Sequence, residues 1–311
     1  MIKFFVPGQL EKTSGRASVR FRALVPLKGM GDKGSIIDDI TKATKDDIII
    51  CAKIVDMNIL NHLINNGIKY VFDICDDKWN KEKKLYDFAC RNANLVTTTC
   101  ELLQSKIKEY TGKTAFIIPD PTEREQEEPK FEPKDHIKFA WFGGRKSFSL
   151  FDWEEVIESI KTVTNNFSIH AVTNKPDKAS KRLMKYREDK KLFMYHWSFD
   201  RQGQIVRDSD IVLLPIPRGM PLVQVKSPNR VIDSIQQGRF VLTNDGVDSY
   251  KKLKDFIHLG SLKEGLKWAL NNKEQVIEKI KLGQEYIKRN HSPEMIGQRW
   301  IETEKLVWKE Y

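Results

Sequence analysis

The chain has 311 residues, 40% hydrophobic and 31% charged, with a formal net charge of +10 and a pI of about 9.2. That length is long for one compact domain and comfortable for two, and the composition excludes a disordered or low-complexity chain. The basic surplus favours anionic partners such as nucleotides, nucleic acid or an acidic membrane face, although lysines on solvated helices account for the same charge with no partner.

The first strand is expected at Lys3 to Val6, ended by Pro7-Gly8. Ser14 or Ser18 then caps a helix carrying Arg16, Arg20 and Arg22. A strand followed by a loop and helix puts those arginines at the strand's carboxyl end, where open α/β sheets bind ligands. The alternative is a basic helix in solvent. Gly29-Met30-Gly31-Asp32-Lys33-Gly34 matches a dinucleotide-binding pattern in letters. It lacks the required preceding strand, since Pro26-Leu27-Lys28 makes a poor one, and it reads as a flexible loop.

Asp47 to Val55 is a near-continuous apolar run, the pattern of a parallel strand covered on both faces. Asn58 to Asn66 reads as a helix stopped by Gly67, and Lys69 to Ile74 as a strand whose end carries Asp73, Asp76 and Asp77. A helix (Leu85 to Arg91), a strand (Leu95 to Thr99), a helix stopped by Gly112 (Glu101 to Tyr110) and a last strand (Thr114 to Ile118) follow. This alternation predicts a mostly parallel sheet. Glu123 to Asp135, acidic and proline-bearing, reads as a linker between domains.

The alternation restarts with the strand Ile137 to Phe142, which runs into Gly143-Gly144-Arg145-Lys146. Strands are expected at Phe167 to Val172, Leu192 to Trp197 and Ile211 to Ile216, and helices at Asp152 to Thr162, Ala179 to Tyr186 and Gln202 to Arg207. Helical stretches close the chain, the last opening at Ser292-Pro293 and carrying Ile296, Trp300, Val307 and Trp308. Cys51, Cys75, Cys90 and Cys100 form no CxxC pair and read as free thiols of a reducing compartment. The segment Met1 to Pro7 is too short for a signal peptide and no apolar run approaches a membrane span, so the expectation is a cytoplasmic protein with room for peripheral contact with an anionic surface.

Three pieces at expected carboxyl ends of second-half strands suit a nucleotide diphosphate. Gly143, Gly144, Arg145 and Lys146 form a glycine turn followed by two cations, which lets backbone amides approach a phosphate. His196 and Trp197 end a strand and could stack on a nucleobase. In Lys226-Ser227-Pro228-Asn229-Arg230, Ser227 is a good helix cap and Pro228 suits the first helical position. Basic residues there oppose the helix dipole unless an anion is bound. The competing reading is a capped helix with a solvated first turn.

This order of parts resembles the GT-B glycosyltransferases that share the family-4-like C-terminal domain, in a divergent bacterial or phage form. The match rests on Gly144-Arg145 after the first strand of the second half, and on Asp233 five residues before Gly238, which leads into Phe240-Val241-Leu242. The family's acid at Asp233 is glutamate and holds the donor ribose. Val225 stands where many retaining members carry a second acid. The resemblance implies an α/β fold of two Rossmann-like domains facing across a cleft, with an acceptor-binding domain (1–122), a linker (123–136), a nucleotide-sugar domain (137–290) and a terminal helix (291–311) crossing back to the first. It implies transfer of a hexose or pentose from a nucleotide-diphosphate donor such as a UDP sugar to an acceptor hydroxyl; no His, Cys or carboxylate spacing suggests a metal site, so no metal and no cofactor are expected. Acceptors in scope are a glycan, a lipid-linked glycan or modified DNA. Arg16, Arg20 and Arg22 would meet the acceptor, and Asp73, Asp76 or Asp77 would supply the base an inverting enzyme needs; for that trio the alternative is a turn with a helix cap. Other classes in view are a phage-type enzyme glycosylating hydroxylated DNA bases, a nucleotide-sugar epimerase and a non-enzymatic nucleic-acid binder. An epimerase would show carboxylates in both domains, and a nucleic-acid binder an aromatic-and-basic stripe.

Overall fold

The computed structural model describes residues 1–8, 15–52, 56–174, 183–217 and 224–309, the side chain of Lys146 apart. The candidate cap Ser14, the end of the third strand at 53–55 and the start of the helix expected at Ala179 lie outside them. The chain divides into two compact units, one of Met1–Glu123, Gln224–Asn229 and Lys288–Tyr311, the other of Arg124–Val223 and Arg230–Ile287.

The first unit holds a six-stranded parallel sheet of β1 (Ile2–Phe5), β2 (Gly34–Ile37), β3 (Ile48–Ala52), β4 (Lys69–Ile74), β5 (Leu95–Thr98) and β6 (Phe116–Ile117). Their order across the sheet is β2-β1-β3-β4-β5-β6. In β3, Ile49 and Cys51 face one core cluster while Ile48 and Ile50 face another, which is why its apolar run is unbroken. After β1, α1 (Ala17–Val19) passes into a π-helical turn, Arg20–Leu24, and then α2 (Val25–Met30). The stretch read as a flexible loop is therefore ordered: Gly29 and Met30 end α2, and Gly34 opens β2. Pro26, placed in the first turn, starts a helix where it had only counted against a strand. The crossovers are α3 (Met57–Asn65), capped by Asp56, α4 (Trp79–Asn92) and α5 (Glu101–Thr111). Gly112 ends α5 at φ +75°, a left-handed conformation that favours glycine.

The second unit repeats the plan with β7 (Ile137–Phe142), β8 (Phe167–Thr173), β9 (Leu192–His196), β10 (Ile211–Leu213), β11 (Phe240–Thr243) and β12 (His258–Leu259), in the order β12-β11-β10-β7-β8-β9 and all parallel. Its helices include α6 (Arg145–Ser149), α7 (Trp153–Lys161), α8 (Met184–Glu188), α9 (Phe199–Arg207), α10 (Asn229–Gln236) and α11 (Leu262–Asn271), followed by α12 (Lys273–Asn290). Asp152, Ser198 and Ser261 cap α7, α9 and α11 through their side chains. The acidic stretch expected to be a linker runs along this unit. Phe131 enters its core, Glu127 N donates to Gln236 O (2.9 Å) and Lys130 N to Gly238 O (3.0 Å).

The last helix, α13 (Pro293–Trp308), packs in the first unit as expected, capped by Ser292 with Pro293 in its first turn. Its crossing with α2 is glycine on glycine. A Cβ on Gly29 would stand 1.8 Å from Pro293 O, and one on Gly297 2.5 Å from the carbonyl carbon of Gly29. That close approach lets Trp300 sink fully into the core, edge-on to Phe4 at 5.4 Å. No helix among the described residues is long and apolar enough to cross a membrane.

Candidate functional site

In the second sheet the chain builds β8 and β9 on one side of β7, then β10, β11 and β12 on the other. The strand order therefore reverses between β7 and β10, and ligands of open α/β sheets bind beyond the carboxyl ends of such a pair. The turn after β7 is tightly determined. Gly143 N donates to Val172 O (3.1 Å), and a Cβ on Gly143 would lie 3.0 Å from the Trp141 ring and 3.4 Å from Arg230 Nη1. Arg230, the second residue of α10, directs Nη1 at Phe142 O (3.4 Å). Arg145 N donates to Asn174 Oδ1 (2.8 Å), and the Arg145 side chain is exposed. Gly143, Gly144, Arg145 and Arg230 thus lie together at the switch point; a side chain at Gly143 would be crowded, while Gly144 has open space around it.

Beside this crevice a cavity of about 590 Å³ opens between Asp152, Glu155, Ile216, Asn244, Asp245 and Ser261. Asn244 clamps its floor, accepting from Ile216 N (2.6 Å) and donating to Ile216 O (3.0 Å). Its carboxylates, Asp152, Glu155 and Asp245, disfavour a phosphate there.

The other second-unit candidates are placed less openly. Asp233 is 2% exposed, so its carboxylate is closed to solvent. His196 is exposed at the end of the edge strand β9. Trp197 is half-buried against the core and donates Nε1 to Gln202 Oε1 (2.7 Å), so its ring is no open platform for a base.

The Lys226–Arg230 stretch does not act as one capped helix start. Gln224–Asn229 pack in the first unit: Val225 joins that core, and the Cys100 thiol donates to Val225 O at 3.6 Å. The Lys226 ammonium forms an ion pair with Asp76. The Ser227 hydroxyl is buried with no hydrogen-bond partner, so it does not cap α10, which begins only at Asn229.

Two other first-unit expectations need correction. Asp73 was expected at an open strand end and Arg22 on an acceptor-facing helix, yet both are 1% exposed. Strand alternation turns Asp73 to the same sheet face as Val71, under α13, and the π-helical turn carries Arg22 inward. Arg22 Nε and Nη2 donate to the two Asp73 oxygens (2.9 and 2.7 Å), and Nη1 donates to Ile118 O (2.7 Å) and Asp120 Oδ1 (3.0 Å). Burial alone would make Arg22 less basic; Asp73 and Asp120 more than reverse that and push the guanidinium above its ordinary range. Arg20 is held in a bidentate pair with Glu123 (2.6 and 3.0 Å), and Asp77 pairs with Lys106 (2.8 Å), which leaves Arg16 as the exposed arginine of the three. Asn174 was missed; its one visible signal was a polar residue directly after an apolar strand. Among the described residues, no group of three or more His, Cys, Asp and Glu is arranged to hold a metal.

The whole chain superposes on solved glycosyltransferase structures. The Anabaena protein Alr3699/HepE, solved with UDP-glucose, matches with a TM-score of 0.70 at 12% identity, covering 98% of this chain and 99% of that one. The chain has the GT-B glycosyltransferase fold. Staphylococcus aureus TarM, in a complex holding UDP, matches with a TM-score of 0.63 at 16% identity over 86% of this chain. The pneumococcal O-GlcNAc transferase GtfA, with UDP and GlcNAc, gives 0.62 at 11% identity over 87% of it. The chain spans 56% of the TarM chain and 58% of the GtfA chain. No family model and no curated protein sequence matches it.

Proposed function

We propose that this GT-B chain is a glycosyltransferase moving a hexose or pentose from a nucleotide-diphosphate donor, a UDP sugar first among them, to an acceptor hydroxyl. The observation that carries the reading is the Gly143 turn at the topological switch point, with the Arg230 guanidinium against it and the exposed Arg145 following it. The bond between the anomeric carbon and the diphosphate breaks, the acceptor oxygen forms the new bond, and negative charge collects on the departing diphosphate. The Arg230 guanidinium, held at the turn by Phe142 O, and the Arg145 guanidinium that follows it would stabilise that charge. They do the work a metal ion does elsewhere, and the reading needs neither metal nor cofactor. That UDP is bound in the HepE, TarM and GtfA structures supports the choice of donor.

On the acceptor side, Asp76 replaces Asp73 as the carboxylate to consider: both Asp76 and Asp77 are ion-paired, with Lys226 and Lys106, and Asp76 is the more exposed of the two, at 19% against 9%, beyond the carboxyl end of β4. An inverting reaction would use it as the base. Arg16 is the arginine open to an acceptor, a glycan or lipid-linked glycan. The test is transfer from a panel of nucleotide sugars to glycan acceptors, with and without EDTA. Turnover that survives chelation is expected; turnover lost on chelation and restored by magnesium or manganese would overturn the metal-free mechanism, and no donor accepted would overturn the reading.

A further inference from the structure

The Gly143–Arg145 turn is held by a side chain from the neighbouring strand. Asn174 follows β8 directly, and its Oδ1 accepts the Arg145 backbone N–H at 2.8 Å. A backbone N–H only donates, so the accepting atom must be the amide oxygen, and this settles which way the Asn174 amide is turned. The two N–H groups on Nδ2 then project from the other side of the same amide. No group among the described residues takes them, and Asn174 is exposed. They stand next to the exposed Arg145 and the turn that Gly143 N ties to Val172 O. Neutral donors with no acceptor among the described residues, next to the backbone of an exposed arginine, suit an oxygen-rich anion and offer nothing to a cation.

We infer that Asn174 is a binding residue of this site: its amide oxygen holds the turn in place while its amide N–H groups donate to an oxygen of the diphosphate. The inference rests on the proposed donor site and adds a residue to it. The two ends of the amide have separable jobs. Asn174→Asp keeps an oxygen for the Arg145 N–H but removes the donors and sets a negative charge against the phosphates. Asn174→Ala removes both ends.

The test is calorimetric titration with UDP and with uridine, alongside thermal melting, on the full chain and the two variants. Asn174→Ala should melt lower than wild type and bind UDP roughly three- to tenfold more weakly, the range of one neutral hydrogen bond. Asn174→Asp should melt close to wild type yet bind UDP more weakly than the alanine variant, with part of the loss recovered at high salt, where a charge repulsion is screened. Uridine, lacking the diphosphate, should bind all three forms alike. An Asn174→Asp variant that binds UDP as wild type does overturns the inference and leaves the donor site standing. Equal losses for UDP and uridine overturn it too, because they mark a purely structural role. Wild type that binds none of UDP, GDP, ADP, CDP or dTDP removes the donor site itself, and the inference with it.

Discussion

Arg22 and Asp73 meet in a bidentate ion pair at 2.9 and 2.7 Å inside the first unit, with Thr97 Oγ1 completing the Asp73 shell at 2.8 Å and the Trp300 ring 5.2 Å from the guanidinium. Removing one member of a buried pair strands the other charge, which costs about 3–5 kcal/mol. Arg22→Ala should lower unfolding free energy by about that much in urea titration. A loss within about 0.5 kcal/mol, the scale of surface substitutions, would mean the pair is not buried as described.

The crossing of α2 and α13 gives a second prediction. Gly29→Ala places a methyl on the Pro293 carbonyl, so the helices must part, at about 1–3 kcal/mol for an overpacked contact. Trp300→Ala should cost about 3–5 kcal/mol by emptying the core beside Phe4. Both are read by chemical denaturation. Truncation before Ser292 removes Ile296, Trp300 and Val307 together and should leave the first unit unable to hold a cooperative transition.

The architecture was legible wherever one physical rule dominated. Unbroken isoleucines in β3 could only be a doubly covered strand, and Gly112 could only end a helix. What misled was side-chain direction. Asp73 was counted as an end residue because three acids cluster in sequence, but Asp73 is inside the strand and obeys its two-residue alternation, while Asp76 and Asp77 lie beyond it. Gly29 was read as part of a flexible loop because its actual partner, Gly297, lies far along the chain. Ser227 looked like a helix cap because the cap rule is local, and the docking of Val225 on the first unit is not. The Gly143–Arg145 turn was readable in sequence; its anchor Asn174 was not, since the contact spans two strands.

A pH dependence follows from His170, which lies in a chain of hydrogen bonds from Tyr195 (3.0 Å) through His170 and Ser168 (3.0 Å) to His136 (2.9 Å). Burial first, then Lys138 and His136, holds the His170 imidazole below the ordinary histidine value. The unfolded chain therefore takes up a proton at higher pH than the folded one. Stability from this group is complete above the ordinary value of about 6.5 and is lost as pH falls from there through the folded value. Unfolding free energy should rise with pH across that window, and His170→Asn should flatten the slope whatever it does to the absolute stability. An unchanged slope would contradict the assignment.

The central claim, that the switch point of the second sheet holds the donor's diphosphate, is tested most directly by calorimetric titration of UDP into wild type and Arg145→Ala. The account predicts saturable binding by wild type, weakened in the variant by about 1.5–3 kcal/mol, the range of a hydrogen bond from a charged group. Equal affinity in a correctly folded Arg145→Ala protein would contradict it.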